Sequence, residues 1–302
     1  MPTEINLTPT ASYLEIRPTG AGSQATASGV PATELLPART WGAANNCLSA
    51  ALLVHGLGAH SGWFEALGRR LKVRRIFALA YDQVGFGKRR AEKFVSRQQW
   101  YDDLASAYAY LQTVVGNKPI FVMGNSMGAA VSLKVVADGL VKPAGLAMFS
   151  PGFDGHPDRF KLSYRLSTIT KALMNPEEEV ALPYTPDMVT RSESVRIWLN
   201  NDPDMRFSPT GKMLLELLKL SMSLPKVRKV DCPVLMVTSG KDNIVDVKAC
   251  KRLFDRLESP EKKSHVFSEA WHDLMFDPDI DELTDRLLAW TTHVGASNGD
   301  NR

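Results

Sequence analysis

The chain has little cysteine. Cys47, Cys232 and Cys250 form an odd, widely spaced set, which excludes a disulfide framework and shows no metal-ligand spacing. An excess of one charge is also missing. Thirty-six Lys and Arg against 33 Asp and Glu leave a net charge of +3, too small to argue for a nucleic-acid partner. No apolar run approaches the roughly 20 residues that cross a bilayer; the longest, Leu48–Val54, has the length of a strand. Met1–Asn6 has no basic stretch leading into an apolar one, so no signal peptide is expected, and a reducing cytoplasm is the expected compartment. There is no Walker-type phosphate loop, no His-Glu-x-x-His and no paired-cysteine site, and Asp82-x-x-Gly85-x-Gly87 lacks the dinucleotide spacing. Neither a cofactor nor a metal is expected.

What is present is one pentapeptide in a telling context. Gly124-Asn125-Ser126-Met127-Gly128 follows the apolar run Pro119–Met123 and opens the small-residue run Ala129–Leu133. A buried strand, a Gly-x-Ser-x-Gly turn and a helix make a nucleophile elbow. The chain must turn sharply, so glycines two residues to either side remove the Cβ atoms that would collide. The serine hydroxyl then stands clear of the sheet, above unpaired N–H groups at the positive end of a helix.

Around the elbow, apolar strand-like runs alternate with amphipathic helical patterns. Leu48–Val54, Ile76–Tyr81, Pro119–Met123, Ala144–Ser150, Pro233–Thr238 and Ser264–Ser268 are the strand candidates. Ser12–Arg17 is a candidate edge strand and Leu35–Trp41 a second. Helices are expected over Ser61–Val73, with Trp63, Phe64, Leu67 and Leu71 on one face, and after Ser96, whose capping box with Gln99 leads into Trp100, Leu104, Tyr108 and Leu111. Asp246 caps a further helix, and Asp277-Pro278 opens the last one. Such alternation specifies an α/β fold with a mostly parallel sheet covered on both faces.

The alternation breaks once. Phe153–Leu224 carries helical stripes at Leu162/Leu166/Ile169/Leu173 and Met213/Leu214/Leu217/Leu218 but no convincing strand. The expected organisation is a partly flexible N-terminal segment, 1–34, with a Gly/Ala/Ser/Thr-rich loop at Thr19–Ala32. An α/β core follows over 35–152 and 225–294, interrupted by a helical lid at 153–224. A frayed tail over 295–302 ends the chain.

A serine needs a base, the base an orienting carboxylate, and the oxyanion two donors. In a parallel sheet these parts belong just past the carboxyl ends of strands. Asp242, in Gly240-Lys241-Asp242, follows the strand ending near Thr238. His272, in Trp271-His272-Asp273, follows the strand ending near Ser268. The order Ser, Asp, His is the one this elbow class uses. Asp246 is accounted for as a helix cap, and Asp273 is expected to point elsewhere. His265 lies inside a strand and His293 near the carboxyl terminus. The oxyanion donors are assigned to the backbone N–H groups of Met127 and of Leu57, in His55-Gly56-Leu57-Gly58; His55 itself is expected to be a structural hydrogen-bonder.

These residues resemble the α/β-hydrolase superfamily, and within it the monoacylglycerol lipase, lysophospholipase and serine aminopeptidase branch. The resemblance rests on His55–Ser61, Asp82–Gly87, Gly124–Gly128, Gly240–Val245 and His272, and extends over roughly residues 35 to 293. It implies an eight-stranded sheet, a lid after the sixth strand and no cofactor. Three positions depart from the branch's usual pattern: Asn125 stands in place of His, Ala129 in place of a second Gly, and Lys88 in place of Ser.

The expected activity is serine carboxylester hydrolysis on a small-molecule substrate, with short-to-medium acyl, monoacylglycerol-like or lysophospholipid-like esters favoured by an apolar lid channel that includes Met174 and Trp198. A thioesterase, amidase, carbon–carbon hydrolase or acyltransferase would use the same triad. A cofactor-free haloperoxidase or a non-catalytic receptor would reuse the fold. Aspartate-nucleophile dehalogenases and epoxide hydrolases are disfavoured by the serine at 126. The basic clusters Arg69–Arg75 and Lys88–Arg90 are either solvated surface or a patch for transient contact with anionic headgroups.

Overall fold

The computed structural model describes residues 5–17 and 35–299; the loop expected at Thr19–Ala32 lies outside them. One eight-stranded sheet is built from β1 (Ser12–Ile16), β2 (Leu36–Trp41), β3 (Ser49–Val54), β4 (Ile76–Tyr81), β5 (Ile120–Asn125), β6 (Gly145–Phe149), β7 (Val234–Ser239) and β8 (Lys262–Phe267). Their spatial order is β1-β2-β4-β3-β5-β6-β7-β8. β2 pairs antiparallel with β1 and with β4, and the remaining neighbours are parallel. The helices are α1 (Glu65–Val73), α2 (Gln98–Val115), α3 (Met127–Ala137), α4 (Leu162–Met174), α5 (Glu193–Asn200), α6 (Gly211–Ser223), α7 (Val247–Arg256) and α8 (Ile280–Gly299).

The period-two alternation of a strand divides the core into two layers. Leu52 and Val54 of β3 pack with Trp100, Leu104 and Leu111 of α2 and Leu133 of α3. Ala51 and Leu53 pack with Leu67 and Leu71 of α1 and Leu283, Leu287 and Trp290 of α8. All six residues of β3 are therefore buried, as a strand covered on both faces requires.

Some element ends differ from the sequence reading. The helix after Ser96 starts at Gln98, and half of its capping box forms. Gln99 Oε1 accepts from the Val95 and Ser96 N–H groups at 2.6 and 3.4 Å, while Ser96 Oγ reaches only the Gln98 N–H, at 3.4 Å. Regular structure in α8 extends to Gly299, past Gly295, where fraying was expected. The basic clusters are largely internal ion pairs. Arg70 and Arg74 meet Asp281 and Asp285 of α8 at 2.6 and 3.0 Å, Lys88 meets Asp204 at 2.8 Å, and Arg89 is buried against Asp103 at 2.6 Å.

Between β6 and β7 the chain forms α4, α5 and α6, the second of which the sequence reading did not anticipate. The α4 stripe has the spacing of a helix, but its leucines face outward: Leu162, Leu166 and Leu173 are exposed. The inner face carries Tyr164, Arg165, Thr168 and Ile169, which line the cavity over the elbow, and small residues where α4 meets α6. A Cβ on Gly211 would lie 2.7 Å from Ala172 Cα, so α4 and α6 meet there with Ala172 fully buried. The insertion is tied to the core beside the β3 loop. Asp202 accepts from His60 Nε2 at 2.8 Å and from Trp63 Nε1 at 3.0 Å. The guanidinium of Arg206 donates to the carbonyls of Gly85, Arg90 and Ser208.

Candidate active site

At the end of β5, Ser126 adopts φ +50°, a conformation that costs an L-residue energy and persists only when its surroundings enforce it. The enforcement is visible. A Cβ on Gly124 would lie 2.5 Å from Gly128 O, and one on Gly128 would lie 2.1 Å from Val54 O, so both flanking glycines are sterically required. The Ser126 carbonyl accepts from the Ala129 and Gly152 N–H groups, which fixes the turn and leaves the side chain clear of it. The β3 loop packs against the nucleophile: a Cβ on Gly56 would sit 3.1 Å from Ser126 Cβ. Among the described residues, neither the Leu57 N–H nor the Met127 N–H donates a hydrogen bond.

The loops after β7 and β8 bring Asp242 and His272 together. Asp242 Oδ1 accepts from the Ile244 and Val245 N–H groups at 2.9 and 3.0 Å, and Oδ2 lies 2.8 Å from His272 Nδ1. A carboxylate held at both oxygens has one orientation. Its bond to Nδ1 fixes the imidazole tautomer, leaving Nε2 as the acceptor. Burial pulls the His272 pKa down, but the Asp242 charge and hydrogen bond, with Asp273 beyond, carry it above the ordinary value. Asp246, the rival acid, caps α7 by accepting from the Lys248 and Ala249 N–H groups. His293 pairs with Glu261 at 3.0 Å. His55 accepts from the Gln83 N–H at Nε2 and lies 2.8 Å from the Gly56 carbonyl at Nδ1; its burial pushes the pKa down to about 4, so it is a neutral brace under the loop.

Two cavities adjoin at Ser126. The larger, about 210 Å³, opens between the elbow and the insertion and is walled by Ile169, Ala172, Leu214, Leu217 and Leu218, with Tyr184. The two substrate contacts expected from sequence do not line it. Met174 is exposed at the end of α4, two residues past Ala172, the last residue of that helix to line the cavity. Trp198 on α5 packs against Phe276, with ring centroids 5.9 Å apart. The smaller cavity is lined by Gly56, Leu57, Asn125, Ser126, Tyr184, His272 and Asp273, among others. Ser126 and His272 thus share one cleft.

The sequence reading expected Asp273 to point elsewhere, but it lines the smaller cavity with Ser126 and His272, turned there by a partner that reading missed. Asn125 Nδ2 donates to Asp273 Oδ1 at 3.1 Å, and burial, opposed by the neighbouring imidazole, holds that carboxyl up at about 7. The available signal was Asn125 itself, a departure from the branch's pattern directly beside the nucleophile. Among the described residues, no group of three or more His, Cys, Asp or Glu side chains is placed to hold a metal ion, and no helix is long and apolar enough to cross a membrane.

A mostly parallel eight-stranded sheet with a Gly-x-Ser-x-Gly elbow at its carboxyl edge is an α/β-hydrolase. The family model described as serine aminopeptidase, S33, matches residues 48–279, and the chain belongs to that family, in its monoglyceride-lipase-like branch. It is 23% identical over 278 residues to the monoglyceride lipase of Mus musculus, covering 86% of this chain and 88% of that protein. It is 22% identical over 250 residues to the monoacylglycerol lipase of Mycolicibacterium smegmatis, covering 79% and 86%. Among solved structures, a soluble variant of monoglyceride lipase from Saccharomyces cerevisiae, in complex with a substrate analogue, superposes with a TM-score of 0.81 at 18% identity, covering 97% of both chains. At that identity the last comparison speaks to fold alone.

Proposed function

We propose that the chain is a serine carboxylester hydrolase acting through an acyl-enzyme. Ser126 attacks the ester carbonyl, His272 takes the hydroxyl proton at Nε2 and returns it to the leaving alkoxide, and Asp242 holds the tautomer and stabilises the imidazolium. The Leu57 and Met127 N–H groups receive the oxyanion. Water then cleaves the acyl-enzyme. The observation that carries this reading is the Asp242–His272 pair, locked at 2.8 Å in the cleft that the elbow serine lines. That neither the Leu57 nor the Met127 N–H donates a hydrogen bond among the described residues supports the oxyanion assignment.

The substrate follows from the larger cavity. Its apolar walls suit an acyl chain, each buried methylene contributing about 0.8 kcal/mol, and its volume suits short-to-medium chains. With relatives that are monoglyceride lipases, this favours monoacylglycerol-like or lysophospholipid-like esters, with the insertion as the lid. The exposed Leu162, Leu166 and Leu173 favour transient contact of that lid with lipid surfaces over the ion-paired basic clusters. The test is a panel of p-nitrophenyl esters, acyl thioesters and acyl amides of equal chain length, alongside labelling by a fluorophosphonate. Esters turned over fastest, with the label on Ser126, support the reading. A preference for thioesters or amides would move the substrate class, and an unlabelled serine would favour a receptor.

A further inference from the structure

The smaller cavity beside Ser126 has about 20 Å³ open to the centre of a water molecule, and about 10–15 Å³ is enough to hold one water. A dry void of that size would be apolar, whereas this one is polar. His272, Asp273, Asn125 and Ser126 all line it. Asn125 is 3% exposed, and its Oδ1 has no hydrogen-bond partner among the described residues, an unmatched acceptor of a kind buried polar groups rarely leave. Its Nδ2 is committed to Asp273 Oδ1 at 3.1 Å. The pair is clamped from both sides. Asn125 is the last residue of β5, and the Asp273 N–H donates to the Val189 carbonyl at 2.8 Å.

We infer that Asn125 and Asp273 form a one-water niche that holds the water for hydrolysis of the acyl-enzyme. The inference rests on the serine-hydrolase reading above and assigns these two residues a positioning role within it. A water between Asn125 Oδ1 and the Asp273 carboxyl lies in the cleft shared by Ser126 and His272. Its oxygen attacks the acyl carbonyl carbon while His272 Nε2 takes one of its protons. The tetrahedral intermediate then breaks the bond to Ser126 Oγ, which recovers its proton from His272, and the carboxylic acid departs. Acylation needs no water, so the niche acts on the second half of the cycle. The apolar cavity shares only Leu57, Ser126 and Tyr184 with the niche, which separates the acyl site from the water site.

The test removes both polar groups at once, because replacing a hydrogen-bonded pair by apolar groups of similar shape is close to neutral for folding, whereas removing one partner strands the other. In the double variant Asn125→Leu/Asp273→Leu, acylation and deacylation are measured separately with p-nitrophenyl butyrate by rapid mixing, quench and intact mass. Deacylation should fall roughly tenfold or more with acylation within about threefold, so that the butyryl adduct accumulates and a burst appears. The partition of the acyl-enzyme between added methanol and water should shift toward methanolysis. The single variant Asp273→Asn, which keeps a polar group and folds more conservatively, should show a smaller shift in the same direction. Equal losses in both half-reactions, or an unchanged methanol partition in a variant that a separate sample shows to react with the fluorophosphonate at Ser126, would overturn the niche alone. A wild-type enzyme that forms no adduct at Ser126 would instead overturn the serine-hydrolase reading beneath it.

Discussion

The backbone N–H of Arg206 donates to the carbonyl of Gly58 at 2.8 Å. A Cβ on Gly58, at φ +82°, would lie 2.6 Å from Arg206 O. The insertion therefore rests directly on the loop that carries Leu57. The Arg206 guanidinium, nearly buried, donates to the carbonyls of Gly85, Arg90 and Ser208 and pairs with Glu179 at 2.9 Å. Arg206→Ala should cost about 1–3 kcal/mol for carbonyls left without a donor. It should also lower kcat several-fold as the Leu57 donor loosens. Thermal melting and steady-state kinetics check this; a lower Tm with unchanged kcat would separate the anchor from the oxyanion site.

The triad carboxylate is tested against its nearest rival. Asp242→Asn removes the acceptor that orients His272, and should lower kcat by several orders of magnitude, as loss of the correct tautomer does in serine hydrolases. Asp246→Asn keeps a competent cap on α7 and should cost well under the roughly 0.5–2 kcal/mol of full cap loss, with kcat nearly unchanged. Equal losses would show that the assigned acid is wrong.

The pH profile follows from the sign of the shift at His272. The base must be neutral to accept a proton, and its pKa lies above the ordinary 6.5, so kcat/KM should rise with pH through a midpoint above that value. Asp273 raises the His272 pKa through its charge. Asp273→Asn removes that charge over the range where the carboxyl, held up at about 7, is ionised, so the acid limb should move modestly to lower pH. A limb that stays put or moves up would contradict the electrostatic account of these two residues.

Chain-length preference tests the apolar cavity. Across p-nitrophenyl esters from acetate to palmitate, kcat/KM should peak between butyrate and decanoate, and Leu217→Trp, which fills the cavity, should move the peak toward shorter chains. A steady fall from acetate onward would mean that the insertion encloses no usable acyl site.

Strands β3 to β7 were legible because buried strands of a parallel sheet write continuous apolar runs, and the elbow because its steric demands leave glycine at 124 and 128. Asp242 and His272 were legible because their strands' carboxyl ends place them, and the structure joins them at 2.8 Å. The face of α4 was not legible. Its leucines have helical spacing, but the close approach of Gly211 to Ala172 decides which side turns inward, and that contact joins residues 39 positions apart. The pairing of Asn125 with Asp273 was not legible for the same reason: the bond spans 148 residues, and neither residue identifies the other as its partner.

The central claim is that Ser126 is the nucleophile, and the direct measurement is the turnover of a butyrate ester by purified Ser126→Ala, with circular dichroism and thermal melting confirming its fold. The account predicts a fall of several orders of magnitude in kcat, because triad members act as a unit, with Tm little changed and fluorophosphonate labelling abolished. A folded Ser126→Ala enzyme with near-normal turnover would contradict it.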